Sequence, residues 1–215
     1  MAIRRGLGVL HAVFGLFLLY DIGWQISDQI ANGEFVPEHY FVYFTNLTTI
    51  GTGIVLVVTG ISMLVRARDS DLLTAIAWAV VPCSAVTGVV YNYTLRGDTP
   101  MGVDWVNDVN HVIAPILIVL DWFVLRLFDV GRPRLPWRSI GVAFVFPGVW
   151  ILFTTFRGLA DGFWPYPFLD PNTGGGVPEI FAYVVGILVF IALASLAGIA
   201  VTRARNGRHE AVPAR

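Results

Sequence analysis

Apolar residues fall into six continuous blocks along the chain, near 7–26, 40–65, 72–95, 105–127, 137–156 and 179–201. A helix of roughly 20 such residues crosses a bilayer core of about 30 Å. The blocks are continuously apolar and do not alternate, so they predict helical spans and not the strands of a barrel. The connecting segments are too short to hold a second folded unit. The pattern therefore predicts an all-α, polytopic membrane protein with six transmembrane helices in a single domain, residues 1–215.

Polar positions inside these blocks carry the next level of information. The fourth block opens with Asn107, Asp108, Asn110 and His111 and closes with Asp121-Trp122. Polar and ionisable groups within a span are costly, so they face the bundle interior and mark a functional site by default. Asp104, Asn107, Asp108, His111 and Pro115 succeed one another at intervals of three or four, which places them on one helix face. Asp121 lies nearer the far interface, where pairing with Arg126 or another arginine of that end is the cheapest account. The second block begins with an aromatic belt, Tyr40, Phe41, Tyr43 and Phe44, above Thr45-Asn46 and the shared face of Thr48, Thr49 and Thr52. From block starts near 40 and 105, Thr45 lies about 8 Å deep and His111 about 9 Å, at about 1.5 Å per residue. Both helices run the same way, so the two residues share a level. Asp21 in the first block and Asn92 in the third approach the same level, while His11 falls near the opposite interface. Pro82, Pro115 and Pro147 predict kinks in three helices. The segment from Gly158 to Pro178, with Trp164-Pro-Tyr-Pro-Phe-Leu-Asp-Pro, reads as a rigid cover on the membrane surface, and Gly174-Gly-Gly as a turn within it.

Composition agrees with this class. Hydrophobic residues make up 56% of the chain and charged residues 13%, at a mean hydropathy of +0.69. All 14 basic residues are arginine, and only Arg96 and Arg157 fall on one side of the predicted bundle. The positive-inside rule then puts both termini in the cytoplasm, and the expected location is the inner (plasma) membrane of the cell. The Arg4-Arg5 pair before the first block resembles the start of a signal peptide, but no small-residue cleavage site follows, which predicts a retained span. The arginines are juxtamembrane anchors and form no basic face for nucleic acid. A net charge of −1 implies nothing about partners, because the charge is segregated by side. Membrane lipids are the one partner the pattern implies, and it carries no signal for an oligomeric state.

The available chemistry is narrow. A bundle holding two haems needs facing histidine pairs, and the chain has four histidines: His11, His39, His111 and His209. A zinc site from His111, Asp108 and Asp21 is one option, but no cofactor or metal is the expected reading. The lone Cys83 sits in apolar surroundings that disfavour a thiolate, and no G-x-S-x-G elbow is present. A hydroxyl nucleophile beside an imidazole remains, with Thr45 as nucleophile and His111 as base. Asp108 or Asp21 is the candidate carboxylate for orienting the ring, Asn46 or Asn92 the candidate oxyanion donor, and Asn110 a further supporting polar group.

The succession Tyr43-Phe44-Thr45-Asn46-Leu47-Thr48, then Asn110-His111 with Pro115, Asp121 and Trp122, then Pro165-Tyr-Pro-Phe-Leu-Asp170, resembles a group of bacterial predicted six-pass membrane proteins. That group is distantly similar to the animal androgen-induced and androgen-dependent TFPI-regulating membrane hydrolases. The resemblance covers the whole chain in helix number and motif order, while the Thr-Asn and His elements alone are specific to the animal relatives. It implies an intramembrane Thr/His pair, Thr45 and His111 by position, and a lipid-ester substrate such as a fatty acid ester of a hydroxy fatty acid. Two other readings stand beside this one. In the first, Asp21, Asp108 and His111 form the relay of a small-solute or proton transporter or channel. In the second, the polar cluster only holds a membrane scaffold or lipid-binding protein together.

Overall fold

The computed structural model describes residues 2–96, 104–127 and 131–204. It is 82% helical, has no strand among the described residues, and contains six helices long and apolar enough to cross a membrane. The chain is thus an all-α multi-pass membrane protein. Helix α1 spans Ala2–Ala31 and the short α2 spans Pro37–Tyr40. Helix α3 covers Phe44–Val65, and α4 covers Asp71–Val90 and continues as a π turn through Tyr91–Leu95. The fourth span is composite: α5 (Asp104–Asp108), a π turn (Val109–Ile113) and α6 (Ala114–Leu127). Helices α7 (Ser139–Asp161) and α8 (Val177–Ala204) complete the bundle. The tail from residue 205, with Arg205, Arg208, His209 and Arg215, lies outside the described residues, as do the side chains of Asp104 and Arg126.

Two boundaries differ from the sequence expectation in ways that matter for the site. The aromatic belt is not the start of the second span. Proline opens α2, the chain then turns, and Tyr43 is extended at ψ 127° before α3 begins at Phe44. Thr45 consequently sits in the first turn of α3, where backbone N–H groups lack intrahelical partners. Helix α7 runs on to Asp161 and ends at Gly162, whose φ of 77° needs a residue without a Cβ. The cover segment is therefore shorter than the interval from 158 to 178.

Close packing between α1 and α3 sets the frame. A Cβ on Gly15 would lie 2.6 Å from the Gly53 carbonyl oxygen, and one on Gly60 would lie 2.6 Å from that of Gly8. The two backbones touch at points one heptad apart, which only small residues allow in a bundle surrounded by lipid. Farther along, Trp78 of α4 and Trp122 of α6 meet with ring centroids 4.6 Å apart, packed with Leu18, Ile118 and Ile199. The outward faces of α7 and α8 are apolar and exposed, including Val149, Leu152, Phe181 and Leu193, as lipid-facing surfaces require.

The arginine-rich end holds a buried polar network. Arg4 pairs with Asp69 at 2.6 Å, and Ser62 donates to the same carboxylate at 2.7 Å. His11 belongs to this network: it is 4% exposed and bonds Asp121 through Nε2 at 2.8 Å. Asp121 also lies within electrostatic reach of Arg132, an arginine of this end as expected, and the imidazole is an added partner; the Arg126 side chain lies outside the described residues. Arg132 approaches from beyond α6, 3.4 Å from His11 Nδ1 and 3.8 Å from Asp69.

Candidate active site

At the other end of the bundle, Thr45 Oγ1 lies 3.2 Å from His111 Nε2, and both residues are buried. The opposite ring nitrogen, Nδ1, donates to the backbone carbonyl of Asn107 at 3.0 Å. Occupation of Nδ1 by a proton leaves Nε2 with a free lone pair, which accepts the threonine hydroxyl. The tautomer a general base needs is thus set by the helix backbone.

Both π turns converge on this ring. His111 is the middle residue of the turn Val109–Ile113, and Tyr91 opens the turn at the end of α4. Their rings stack at 3.9 Å between centroids and 24° between planes. The Asn107 amide donates to the Tyr91 hydroxyl. Asn92 donates to the carbonyls of His111 (3.0 Å) and Gly88 (2.8 Å), so it ties α4 to the π turn behind the ring. Gly88 permits this approach, since a Cβ there would lie 2.9 Å from Pro115 Cβ. A π turn admits an extra residue into a helix and rotates what precedes it, a device found often at functional sites.

The other candidates divide sharply. Asp108 is exposed, and the nitrogen it was expected to orient is held by the Asn107 carbonyl, because the widened turn swings Asp108 off the face of His111. Asp21 is fully buried but reaches the site only indirectly. Its Oδ2 accepts from Asn110 at 2.8 Å and from Gln25 at 3.1 Å. Asn110 accepts in turn from Thr49 at 2.7 Å. Asn46 lines the cavity while its amide donates to the Tyr40 carbonyl at 2.9 Å, bracing the turn before α3. Asn92 faces the back of the ring and does not line the cavity. Asp21, Asp108 and His111 are not gathered into a ligand set, and no group of three His, Cys, Asp or Glu suited to a metal occurs among the described residues.

One residue escaped the sequence reading. Tyr166, from the cover segment, descends onto α3, and the Thr45 backbone N–H points to its hydroxyl at 3.5 Å. It is 6% exposed, and burial pushes its hydroxyl up to about 12, so it stays protonated. Tyr43 packs edge-on against it, with centroids 5.7 Å apart. The Trp-Pro-Tyr-Pro run is the only sequence signal for this placement: prolines on both sides restrict the backbone that presents the ring.

Thr45, His111, Asn107 and Tyr166 all line one cavity of about 370 Å³ that opens at this end of the bundle. The space directly beneath, among Thr48, Thr52, Ser84, Thr87 and Asn110, is about 10 Å³, room for a single water. Fold and site together define a six-helix membrane protein with a buried hydroxyl–imidazole pair under an aromatic cover. No family model, curated protein or solved structure matches the chain.

Proposed function

We propose that the protein is an integral membrane hydrolase of lipid esters, with Thr45 as nucleophile and His111 as general base. The observation that carries this reading is the 3.2 Å Thr45 Oγ1–His111 Nε2 contact with Nδ1 already committed to a carbonyl. In the reaction, Thr45 Oγ bonds to the ester carbonyl carbon while its proton passes to Nε2. The carbonyl oxygen becomes an oxyanion, and Tyr166 donates a hydrogen bond to it. Collapse breaks the bond to the alcohol oxygen, which takes the proton from His111 as it leaves. Water, deprotonated by the same nitrogen, then cleaves the acyl-threonine to acid and free hydroxyl. The Asn107 carbonyl keeps the ring oriented throughout, as the carboxylate does in a triad, but without adding a charge.

The resemblance to the bacterial six-pass group and the animal membrane hydrolases supports the same pair and a fatty acyl ester substrate drawn from the bilayer. By the positive-inside rule we place the site at the outer leaflet of the cell's inner membrane, with both termini cytoplasmic. Passage of a small solute is less well supported, because the volume of about 10 Å³ below the pair has room for a single water. A purified sample treated with a fluorophosphonate probe tests the assignment. Wild type is expected to label, and Thr45→Ala and His111→Ala to lose labelling and ester turnover while melting normally. Labelling that persists in Thr45→Ala sinks the nucleophile assignment.

A further inference from the structure

One buried charge has no countercharge among the described residues. Asp21 is fully buried in α1, and its partners Gln25 and Asn110 are neutral amides that both donate to Oδ2. No arginine or histidine among the described residues pairs with it, and its Oδ1 has no hydrogen-bond partner there. A carboxylate inside a span without an opposite charge is costly, so a proton or a cation accompanies it. The chamber directly beneath the Thr45–His111 pair lies one hydrogen bond away. Asn110 lines it while holding Asp21, and Leu18, one turn before Asp21, lines it too.

The lining carries six side-chain oxygens, from Thr48, Thr49, Thr52, Ser84, Thr87 and Asn110. Most of the protons on these groups are committed elsewhere. Thr49 donates to Asn110 Oδ1 at 2.7 Å, Thr87 to the Cys83 carbonyl at 3.1 Å, and Thr52 and Ser84 share one bond at 3.3 Å. The Asn110 amide donates to Asp21 and to the Val106 carbonyl. Thr48, 6% exposed, has no partner for its hydroxyl among the described residues. The chamber thus offers an occupant chiefly oxygen lone pairs. A water has two protons for them and brings no charge. A hard cation can use every one of them and balances Asp21. Charge restricts the choice, because a divalent ion would leave a net positive charge inside the span. Size and ligand number restrict it further: about 10 Å³ and six oxygens suit sodium, whereas the larger potassium ion takes more ligands. We propose that this chamber binds a single sodium ion through the hydroxyls of Thr48, Thr49, Thr52, Ser84 and Thr87 and the Asn110 amide oxygen, with Asp21 as the countercharge behind Asn110.

Sodium binding is read without substrate, so the result stands whether or not the chain cleaves esters. Radioactive sodium would be titrated onto the full chain in neutral-lipid nanodiscs, with empty discs subtracted. Mildly alkaline buffer keeps a proton from competing for Asp21. Saturable binding of a single ion per chain is expected, displaced by unlabelled sodium and about tenfold less well by potassium. Asp21→Asn is expected to abolish it, and Thr48→Val to weaken it about tenfold, the usual cost of one oxygen partner to a charge. Thr48→Val carries its own control for folding. In choline chloride it should melt no lower than wild type, since it removes a buried hydroxyl with no partner. In sodium chloride wild type should melt higher, because the ion binds only its folded state. Saturable binding with both losses supports the site. Absence of saturable binding, displacement by potassium as effective as by sodium, or binding unchanged in either variant overturns it.

Discussion

Thr45 and His111 are 66 positions apart and meet because two helices that enter from the same end carry them at one level. Matching depth was legible in the sequence; what holds the imidazole was not. A carboxylate one turn away is the obvious partner for a histidine, yet Asp108 is turned outward and the Asn107 carbonyl takes Nδ1. Asp108→Asn is therefore expected to leave turnover unchanged, and a large loss in kcat would show that the exposed carboxylate acts on the ring after all. Tyr166 is the opposite case, a residue with no periodic signal and a direct contact. Tyr166→Phe is expected to lower kcat by about 100-fold with little change in KM, the usual cost of one oxyanion donor. It also carries a pH signature. Its hydroxyl is raised from 10.0 to about 12, so the folded state holds a proton that the unfolded state releases first. The stabilisation is complete below pH 10 and is lost as pH rises towards 12, a loss of about 2–3 kcal/mol at most. Thermal melts across that window should fall more steeply for wild type than for Tyr166→Phe.

At the scale of elements, hydropathy located all six spans, because a lipid-facing helix has no freedom to be polar. It could not locate the interruptions. The two π turns depend on where one extra residue is accommodated, and apolar block length is indifferent to that. Aromatic residues are at home at an interface, so hydropathy extends the second span over the belt from Tyr40 to Phe44; the turn after α2 is fixed instead by tertiary bonds. One is the Asn46 amide on the Tyr40 carbonyl at 2.9 Å, and another is the Trp150 indole N–H on the Val42 carbonyl at 2.8 Å. The π turn gives a direct test. Deleting Ile113 restores α-helical register and turns the preceding residues by about 100° relative to α6, since each residue advances an α-helix by that angle. The Thr45–His111 contact and the Asn92 bond to the His111 carbonyl would both be broken. The deletion variant should insert and stay folded, yet neither label with fluorophosphonate nor turn over ester. Retained labelling would mean that the pair does not depend on the π geometry.

Across the whole molecule, ionisable groups gather at two separate levels, with the tryptophan core of Trp78 and Trp122 between them. The arginine-rich end has the denser network, in which Asp69 alone receives Arg4, Ser62 and Arg132. Burial pulls the Arg132 guanidinium below its ordinary value, and the charges of Asp121 and Asp69 oppose that. The groups of this network are spent on one another. It joins α1, α3 and the segment after α6 at the end where α1 begins, so its role is to fix the frame on which the distant site is built. Removing the shared acceptor leaves two buried guanidiniums facing each other, a situation that costs about 3–5 kcal/mol where it has been measured for buried pairs. Asp69→Ala is therefore expected to lower stability by that amount. The fraction that remains folded should turn over ester at the wild-type rate, because nothing in the network touches Thr45 or His111. Active-site titration with the fluorophosphonate probe counts the folded fraction and so separates the two quantities. A fall in rate per labelled molecule would show that the two ends are coupled through α1 and α3, whose backbones touch at Gly8–Gly60 and Gly15–Gly53.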